Sequence, residues 1–392
     1  MISFDFDNQC VGCGACVDAC PNDCITLRED RDGFLMPQIV LSRCVDCHLC
    51  EKVCPYITSN TSVYKDRKCY SAYNEDEDIR FLGSSGSVFY SLAERIVSRR
   101  GIVYAAELCD DLQLRHTRAT TIPEIIRQMK SKYIQSNVVG IYKSVLSDLA
   151  GGKEVLFVGT PCQCKALHNY IPAKLRNNLL IVDFVCHGVP SQSLFTKSLA
   201  LFEQTNQCKV DNYSFREKTH DSLRNYRVDF TMYDGEKRSI TGDPDDWPFY
   251  NGYFYHYIQR NSCFNCKMRT IDRDSDITIG DFWGIGSLIP GINDFSKGYS
   301  MLVTNSHYGQ EALDSLHNCN LVEVQGGLDY CLENNSAYLK EDKKSIMRSA
   351  FFYALRYKGY SFCERHFLRK NLSFFDRIFR RLALLYDKAF SN

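Results

Sequence analysis

Cys10-x2-Cys13-x2-Cys16-x3-Cys20-Pro21 recurs as Cys44-x2-Cys47-x2-Cys50-x3-Cys54-Pro55, every cysteine displaced by the same 34 residues, Cys10 to Cys44 through Cys20 to Cys54. Thiolates at this spacing do metal chemistry. Three on a tight turn cap three corners of an iron–sulfur cubane, while the fourth, on the short helix that follows, points toward a second cluster. The ligand sets therefore interleave. Cys10, Cys13, Cys16 and Cys54 are assigned to one 4Fe-4S cluster, and Cys44, Cys47, Cys50 and Cys20 to the other. Gly12 and Gly14 keep the first loop clear of side chains, so backbone N–H groups can approach the cluster sulfurs. The second loop carries Asp46 and His48 instead, which predicts a different potential for its cluster. A pair of zinc knuckles is the competing chemistry, but zinc uses four ligands once and rarely in this doubled run.

A second set of cysteines lies beyond. The apolar run Val155 to Val158 enters Gly159-Thr160-Pro161-Cys162-Gln163, and Ile181 to Val185 enters Cys186-His187-Gly188-Val189-Pro190. In an open α/β sheet the carboxyl ends of the strands form the edge where ligands bind, which lets Cys162 and Cys186 face one crevice. Cys263-x2-Cys266 completes four thiolates, enough for a third 4Fe-4S cluster. Each signal is weak taken singly, since an isolated buried cysteine is usually a small hydrophobe and a lone C-x2-C is as often zinc or nothing. Cys164 competes with Cys162 for the same role.

Positioning these groups takes two kinds of architecture. Ile25 to Leu27 and Phe34 to Val40, broken by Arg31-Asp32-Gly33, predict the short strands of a ferredoxin-like two-cluster domain over residues 1–57, followed by a polar linker over 58–68. Strand-like runs at Ile102 to Ala106, Val155 to Val158 and Leu179 to Val185 alternate with helical patterns at Val88 to Val97, Ile122 to Lys130 and Val138 to Leu149. That alternation predicts an α/β domain with a partly parallel, mixed sheet over residues 69–330. Tyr226 to Met232, Ile277 to Phe282 and Met301 to Thr304 predict a more β-rich later part. The fold class is thus α+β followed by α/β, ending in a helical, basic extension over 331–392. Within it, Arg365 to Arg381 holds six Lys/Arg against the single acidic Asp376, and Leu372, Phe375, Phe379, Leu382, Leu385 and Tyr386 share one helical face. Such a helix docks on the protein's own body or a subunit, or gives a peripheral contact with a membrane surface.

Composition narrows the partners. With 392 residues at 44% hydrophobic content the chain can build two or three ordinary domains. Lys+Arg and Asp+Glu are both 47, which leaves no overall field to attract nucleic acid. The twenty cysteines cluster at metal spacings, and the opening Met-Ile-Ser-Phe-Asp-Phe-Asp has no signal-peptide character, which predicts a reducing, cytoplasmic setting. No apolar run approaches the ~18 residues that span a bilayer.

Several ordered pieces resemble the beta subunits of coenzyme F-420 hydrogenases and dehydrogenases, a family that includes the 7-hydroxymethyl chlorophyll a reductases. They are Gly83-Ser-Ser-Gly-Ser87, Lys130-Ser-Lys-Tyr-Ile-Gln-Ser136, Gly159-Thr-Pro-Cys-Gln163, Val185-Cys-His-Gly-Val-Pro190, Cys263-x2-Cys266 and Gly280-Asp-Phe-Trp-Gly284, within residues 69–305. The resemblance implies a flavin-binding α/β domain in which Cys162, Cys186, Cys263 and Cys266 ligate a cluster beside FAD, or FMN in its place. Ser84, Ser85, Gly86 and Ser87 would then offer amides, hydroxyls and a helix N-terminus to the pyrophosphate, although the same residues also suit a plain helix cap. This chain has Ser85-Gly86-Ser87 where relatives usually have Ser-Gly-Gly. Lys132, Tyr133, Gln135 and Ser136 resemble a second flavin contact, with Lys132 otherwise a solvated surface charge; Gly159 and Thr160 would line the same crevice. His187 is a candidate proton donor, or a structural hydrogen-bond donor beside the cluster loop. The implied function is an oxidoreductase passing electrons between the clusters and a flavin that exchanges a hydride or two electrons with a small organic donor or acceptor. The rival is a relay subunit linking a ferredoxin to a separate catalytic partner, and a zinc-bearing scaffold is the third reading. A redox partner such as a ferredoxin or another oxidoreductase subunit is expected in the first two.

Overall fold

The computed structural model describes residues 2, 5–59, 64–288, 297–324, 326–340 and 342–370. In the N-terminal module, β1 (Ile25–Glu29) pairs antiparallel with β2 (Leu35–Ile39), Ile25 opposite Ile39. The Asp30 carboxylate shapes the turn between them by accepting from the amides of Asp32 and Phe34 at 2.8 and 2.9 Å. The duplication extends to the backbone. Gly12 and Gly14 have φ of 65° and 73°, and the equivalent Asp46 and His48 have 52° and 58°. The second loop thus takes the left-handed turns of the first without glycine, using residue types that tolerate αL better than most.

Beyond the module come β3 (Cys69–Asn74), β4 (Ile102–Leu108), β5 (Leu114–Ala119), β6 (Val155–Gly159), β7 (Leu179–Phe184), β8 (Cys208–Glu217), β9 (Asn225–Met232), β10 (Lys237–Gly242), β11 (Ile277–Asp281), β12 (Ser300–Thr304) and β13 (Cys319–Glu323). Eight of them form one mixed sheet in the order β13-β3-β12-β11-β7-β6-β4-β5, and β8, β9 and β10 form a separate antiparallel sheet. The neighbours β4, β6, β7 and β11 are parallel. These central strands are buried on both faces, which is why they read as continuous apolar runs. Alternate residues serve opposite faces. Leu156, Val158, Leu180 and Val182 pack with the helix Val88–Ser98, while Val155, Phe157, Leu179 and Ile181 pack with the helices Ile141–Ala150 and Pro161–Tyr170. The second face also receives Val11, Cys13, Ala15 and Val53, so the N-terminal module is packed into the core of the large domain.

Two placements go beyond what the sequence indicates. The later strands β11 and β12 join the main mixed sheet, Ile277 pairing with Val182 and Met301 with Ser71. The described residues after 331 contribute to the core. Tyr338, Phe351 and Phe367 are fully buried, the latter two in an aromatic cluster with Phe195, Phe215 and Tyr250, because the helix Arg348–Cys363 lays its apolar face there. The amphipathic pattern from Leu372 to Tyr386 lies outside the described residues. Among the described residues no helix is long and apolar enough to cross a membrane.

Candidate redox centre

The thiols of Cys10, Cys13 and Cys16 sit around the short helix Ala15–Asp18 and meet Cys54 from the second run: Cys16 has Cys10, Cys54 and Cys50 as neighbours, and Cys13 has Cys54 and Cys16. Cys20 crosses over, lining a small cavity with Cys44, Cys47 and Cys50. The last cysteine of each run thus stands near the first three of the other. Cys24, which the repeat does not mark, lines that cavity too, its Sγ 3.2 Å from that of Cys20. The signal for it is its position four residues after Cys20, in a turn that the Cys-Pro step closes.

The third set also converges. Cys162 opens the helix Pro161–Tyr170, Cys186 follows β7, and Cys263 lies in the turn Asn261–Asn265 with Cys266 just after it. Cys266, Cys186 and Cys263 are all close neighbours of Cys162. Gly188, at φ +91°, makes room for this: a Cβ there would sit 3.0 Å from Cys263 Cβ. Cys164 turns away, its Sγ on the carbonyls of Gly159 and Val182 at 3.5 and 3.4 Å inside the sheet. Cys162 is also a neighbour of Cys13, so the core set abuts the first N-terminal set. Burial lifts the thiols, to about 11 at Cys186 and about 12 at Cys263, even though Cys186 opens on one side to a larger cavity. Thiols so placed stay protonated unless a cation joins them, and bound iron would supply that charge. Arg269 and Arg273 stand near Cys186 and Cys266, Arg273 in a buried pair with Asp183 at 3.0 Å. Among the described residues no three His, Cys, Asp or Glu side chains are gathered tightly enough for a single metal ion.

A cavity of about 620 Å³ adjoins the core set. Its wall includes Ser84, Ser85, Ser87, Lys132, Tyr133, Gln135, Ser136, Gly159, Thr160, Cys162, Cys186 and His187, residues far apart in the chain. Gly86 lies behind the wall, its amide donating to Ser300 Oγ at 2.9 Å and its Cα against the Ala72 carbonyl. Many of the expected donors are engaged within the protein. Ser85 Oγ donates to Tyr299 O at 2.7 Å and Ser87 Oγ to Arg80 O at 3.1 Å, whereas Ser84 Oγ accepts from the Ser131 amide at 2.8 Å and keeps its own proton to give. Lys132 is no solvated surface charge. Its Nζ donates to the carbonyls of Ala106, Gln128 and Met129 at 2.8, 2.6 and 2.6 Å, and burial pushes its ammonium down to about 7. Gln135 Nε2 donates to Val11 O and Gly12 O at 2.8 and 3.1 Å, tying the first cysteine loop to the cavity wall. Tyr133 packs against Tyr253 and Tyr250. Thr160 and Gln163 form a capping box that sets Cys162, whose Sγ lies 3.2 Å from Thr160 Oγ1, and Ser136 Oγ accepts from Gln163 Nε2 at 3.0 Å. His187 Nδ1 is 3.8 Å from Asp342. The motifs leave unmarked Arg216, paired with Asp281 at 2.6 Å, and Arg224, 5.6 Å over the Trp283 ring, all four on the wall.

Residues 152–327 match the family described as the C terminus of the coenzyme F420 hydrogenase/dehydrogenase beta subunit, and residues 9–57 match the 4Fe-4S dicluster domain. These two matches relate the chain to iron–sulfur oxidoreductase subunits. No curated protein matches it. Among solved structures, a chain from the F420-reducing NiFe hydrogenase complex of Methanosarcina barkeri is similar at 17% identity, covering 71% of this chain and 89% of that one, with a TM-score of 0.44.

Proposed function

We propose that this protein is a flavin-dependent oxidoreductase in which Cys162, Cys186, Cys263 and Cys266 hold a third 4Fe-4S cluster and the adjoining cavity holds FAD. The observation that carries the reading is the continuity of thiol sets. Cys47 is exposed, Cys13 lies beside Cys162, and Cys162 and Cys186 form part of the cavity wall. Electrons can thus pass from the surface through two N-terminal sites and a core site to the cavity, or back.

The cavity suits a flavin in size, since ligand sites run from about 300 to 1,000 Å³. Its polar wall offers the Ser84 hydroxyl and the first amides of the helix Val88–Ser98, and its apolar wall the rings of Tyr133, Tyr250 and Tyr253. A flavin bound there would supply the conversion between one-electron transfer and hydride or two-electron chemistry on an organic substrate. Lys132, held by three carbonyls, organises the wall instead of neutralising a phosphate. His187 is the proton donor or acceptor this reading assigns at the core-cluster end.

Around Cys47, Leu41, Val45 and Leu49 are exposed apolar side chains, a surface suited to a ferredoxin or another redox protein in a cytoplasmic setting. The test is anaerobic reconstitution with iron, sulfide and FAD. About twelve irons per chain and one flavin that bleaches on addition of a low-potential donor are expected, against about eight irons if only the N-terminal pair fills. Turnover of an organic acceptor by the purified chain supports the enzyme; flavin reduction that needs a second polypeptide for turnover supports the relay reading instead.

A further inference from the structure

Arg260 is the largest fully buried side chain of the described residues, with 0% of its surface exposed. Its guanidinium forks onto Gln135 Oε1 through Nε at 3.0 Å and Nη2 at 2.8 Å, and Nη2 also donates to Leu35 O at 2.9 Å. Nη1 reaches Cys10 O and Met36 Sδ at 3.3 and 3.4 Å, and the group lies 5.1 Å over the Phe34 ring. None of these partners is a carboxylate. The Arg260 amide meanwhile donates to Val189 O at 2.8 Å, in the loop of Cys186, and Cys263 follows three residues later. Ser262 Oγ closes the junction on Cys10 O at 2.9 Å. Gly12 is glycine for the same reason, since a Cβ there would meet Arg260 Nη2 at 2.5 Å.

A cation removed from water and given only neutral partners is costly unless negative charge stands nearby. The two cysteine sets flank it: Nη1 donates to Cys10 O on one side and the Arg260 amide to Val189 O, in the Cys186 loop, on the other, so negatively charged clusters held by those sets would stand beside the guanidinium. We propose that Arg260 is a positioning residue for electron transfer, a fixed cation between the first N-terminal site and the core site that holds them in register and raises the potential of the Cys10/Cys13/Cys16/Cys54 cluster. The proposal rests on the reading that these sets hold clusters. One electron leaves one site and arrives at the other, with no proton or group transferred. A positive charge beside the acceptor favours the reduced, more negative form.

The test is an EPR-monitored redox titration of the reconstituted chain. Arg260→Met should lower the midpoint of one N-terminal signal by about 59 mV, a tenfold change in its reduced-to-oxidised ratio, while the signal of the Cys20/Cys44/Cys47/Cys50 site stays put. Arg260→Lys keeps the charge and should hold both iron content and midpoint. Should Arg260→Met lose iron, Gln135→Glu sets a carboxylate against the guanidinium and should lower the same midpoint. An unmoved midpoint in a fully loaded Arg260→Met or Gln135→Glu chain overturns the proposal, as does a shift in Arg260→Lys equal to that in Arg260→Met. Zinc in place of iron in the wild-type chain would instead sink the cluster reading on which it rests.

Discussion

Asp18, in the first cysteine module, accepts a 2.7 Å hydrogen bond from the amide of Gly140, which opens the helix Ile141–Ala150 in the large domain. Its other oxygen accepts from the Tyr142 amide at 3.1 Å, and the Tyr142 hydroxyl returns a bond to Cys13 O at 3.0 Å. A residue of one module thus satisfies the free helix-end amides of the other, and the cysteine loop is held in exchange. Asp18→Ala leaves two amides without an acceptor, which costs about 1–3 kcal/mol. Denaturant unfolding should show the lower midpoint, with Asp18→Asn, which keeps one acceptor, losing less.

The third cysteine set yields a sharper contrast. Cys162 and Cys164 are two residues apart in one helix, and residues so spaced do not share a face. Cys162→Ala should therefore remove about four irons per chain, while Cys164→Ala should keep the full count and lose only some stability. Iron and sulfide analysis of the two reconstituted variants checks this; loss of iron from Cys164→Ala alone would reverse the assignment.

What could be read in advance follows physical rules. Val155 to Val158 and Leu179 to Val185 were legible because parallel strands covered on both faces are apolar throughout. β5 (Leu-Arg-His-Thr-Arg-Ala) and β10 (Lys-Arg-Ser-Ile-Thr-Gly) left little trace, since each is the edge strand of its sheet, β5 bridged on its outer side by Asn137, and every residue of β10 is at least partly exposed. β11 and β12 were visible as strands, but their sheet was not, because pairing Ile277 with Val182 is a non-local choice made by packing. At the site, the doubled spacing marked the N-terminal cysteines that the fold gathers. The fate of Lys132 was hidden because its acceptors are backbone carbonyls, which any residue type supplies. Arg260 gave no signal for the same reason: four of its partners are two carbonyls, a sulfur and an amide oxygen brought in by folding.

His116 carries a pH dependence. It is 4% exposed, its Nε2 donates to Val158 O at 2.9 Å, it stacks on Phe157, and burial pushes it down to about 4. Between about pH 6.5, where the unfolded chain takes up the proton, and about pH 4, where the folded chain does, the unfolded state binds more protons. Stability is therefore present in full above 6.5 and lost as pH falls through that window, by at most about 3 kcal/mol from this group. His116→Gln should flatten that part of the unfolding-versus-pH curve. A slope as steep as in the wild-type chain would assign the acid loss to other groups.

Ser87 occupies the point where this chain departs from the Ser-Gly-Gly pattern of relatives, and its φ of 61° shows what the departure costs. A left-handed conformation disfavours a side-chain-bearing residue by about 1–2 kcal/mol. Against that, the Ser87 hydroxyl donates to Arg80 O at 3.1 Å, a bond of about 1 kcal/mol that helps hold the loop ahead of the helix Val88–Ser98. Ser87→Gly removes both terms, so its unfolding midpoint should stay near or slightly above wild type, and under the proposed flavin reading its FAD affinity should match that of the wild-type chain because the Ser87 hydroxyl is turned away onto a carbonyl. Ser87→Val keeps the strain, adds a β-branch that left-handed backbone tolerates poorly and loses the bond, so it should cost about 2 kcal/mol or more. Fluorescence titration with FAD alongside the unfolding measurement separates the outcomes: a Ser87→Gly chain that is as stable as wild type but binds FAD tenfold more weakly would show that the hydroxyl swings to the cofactor, against the geometry described above.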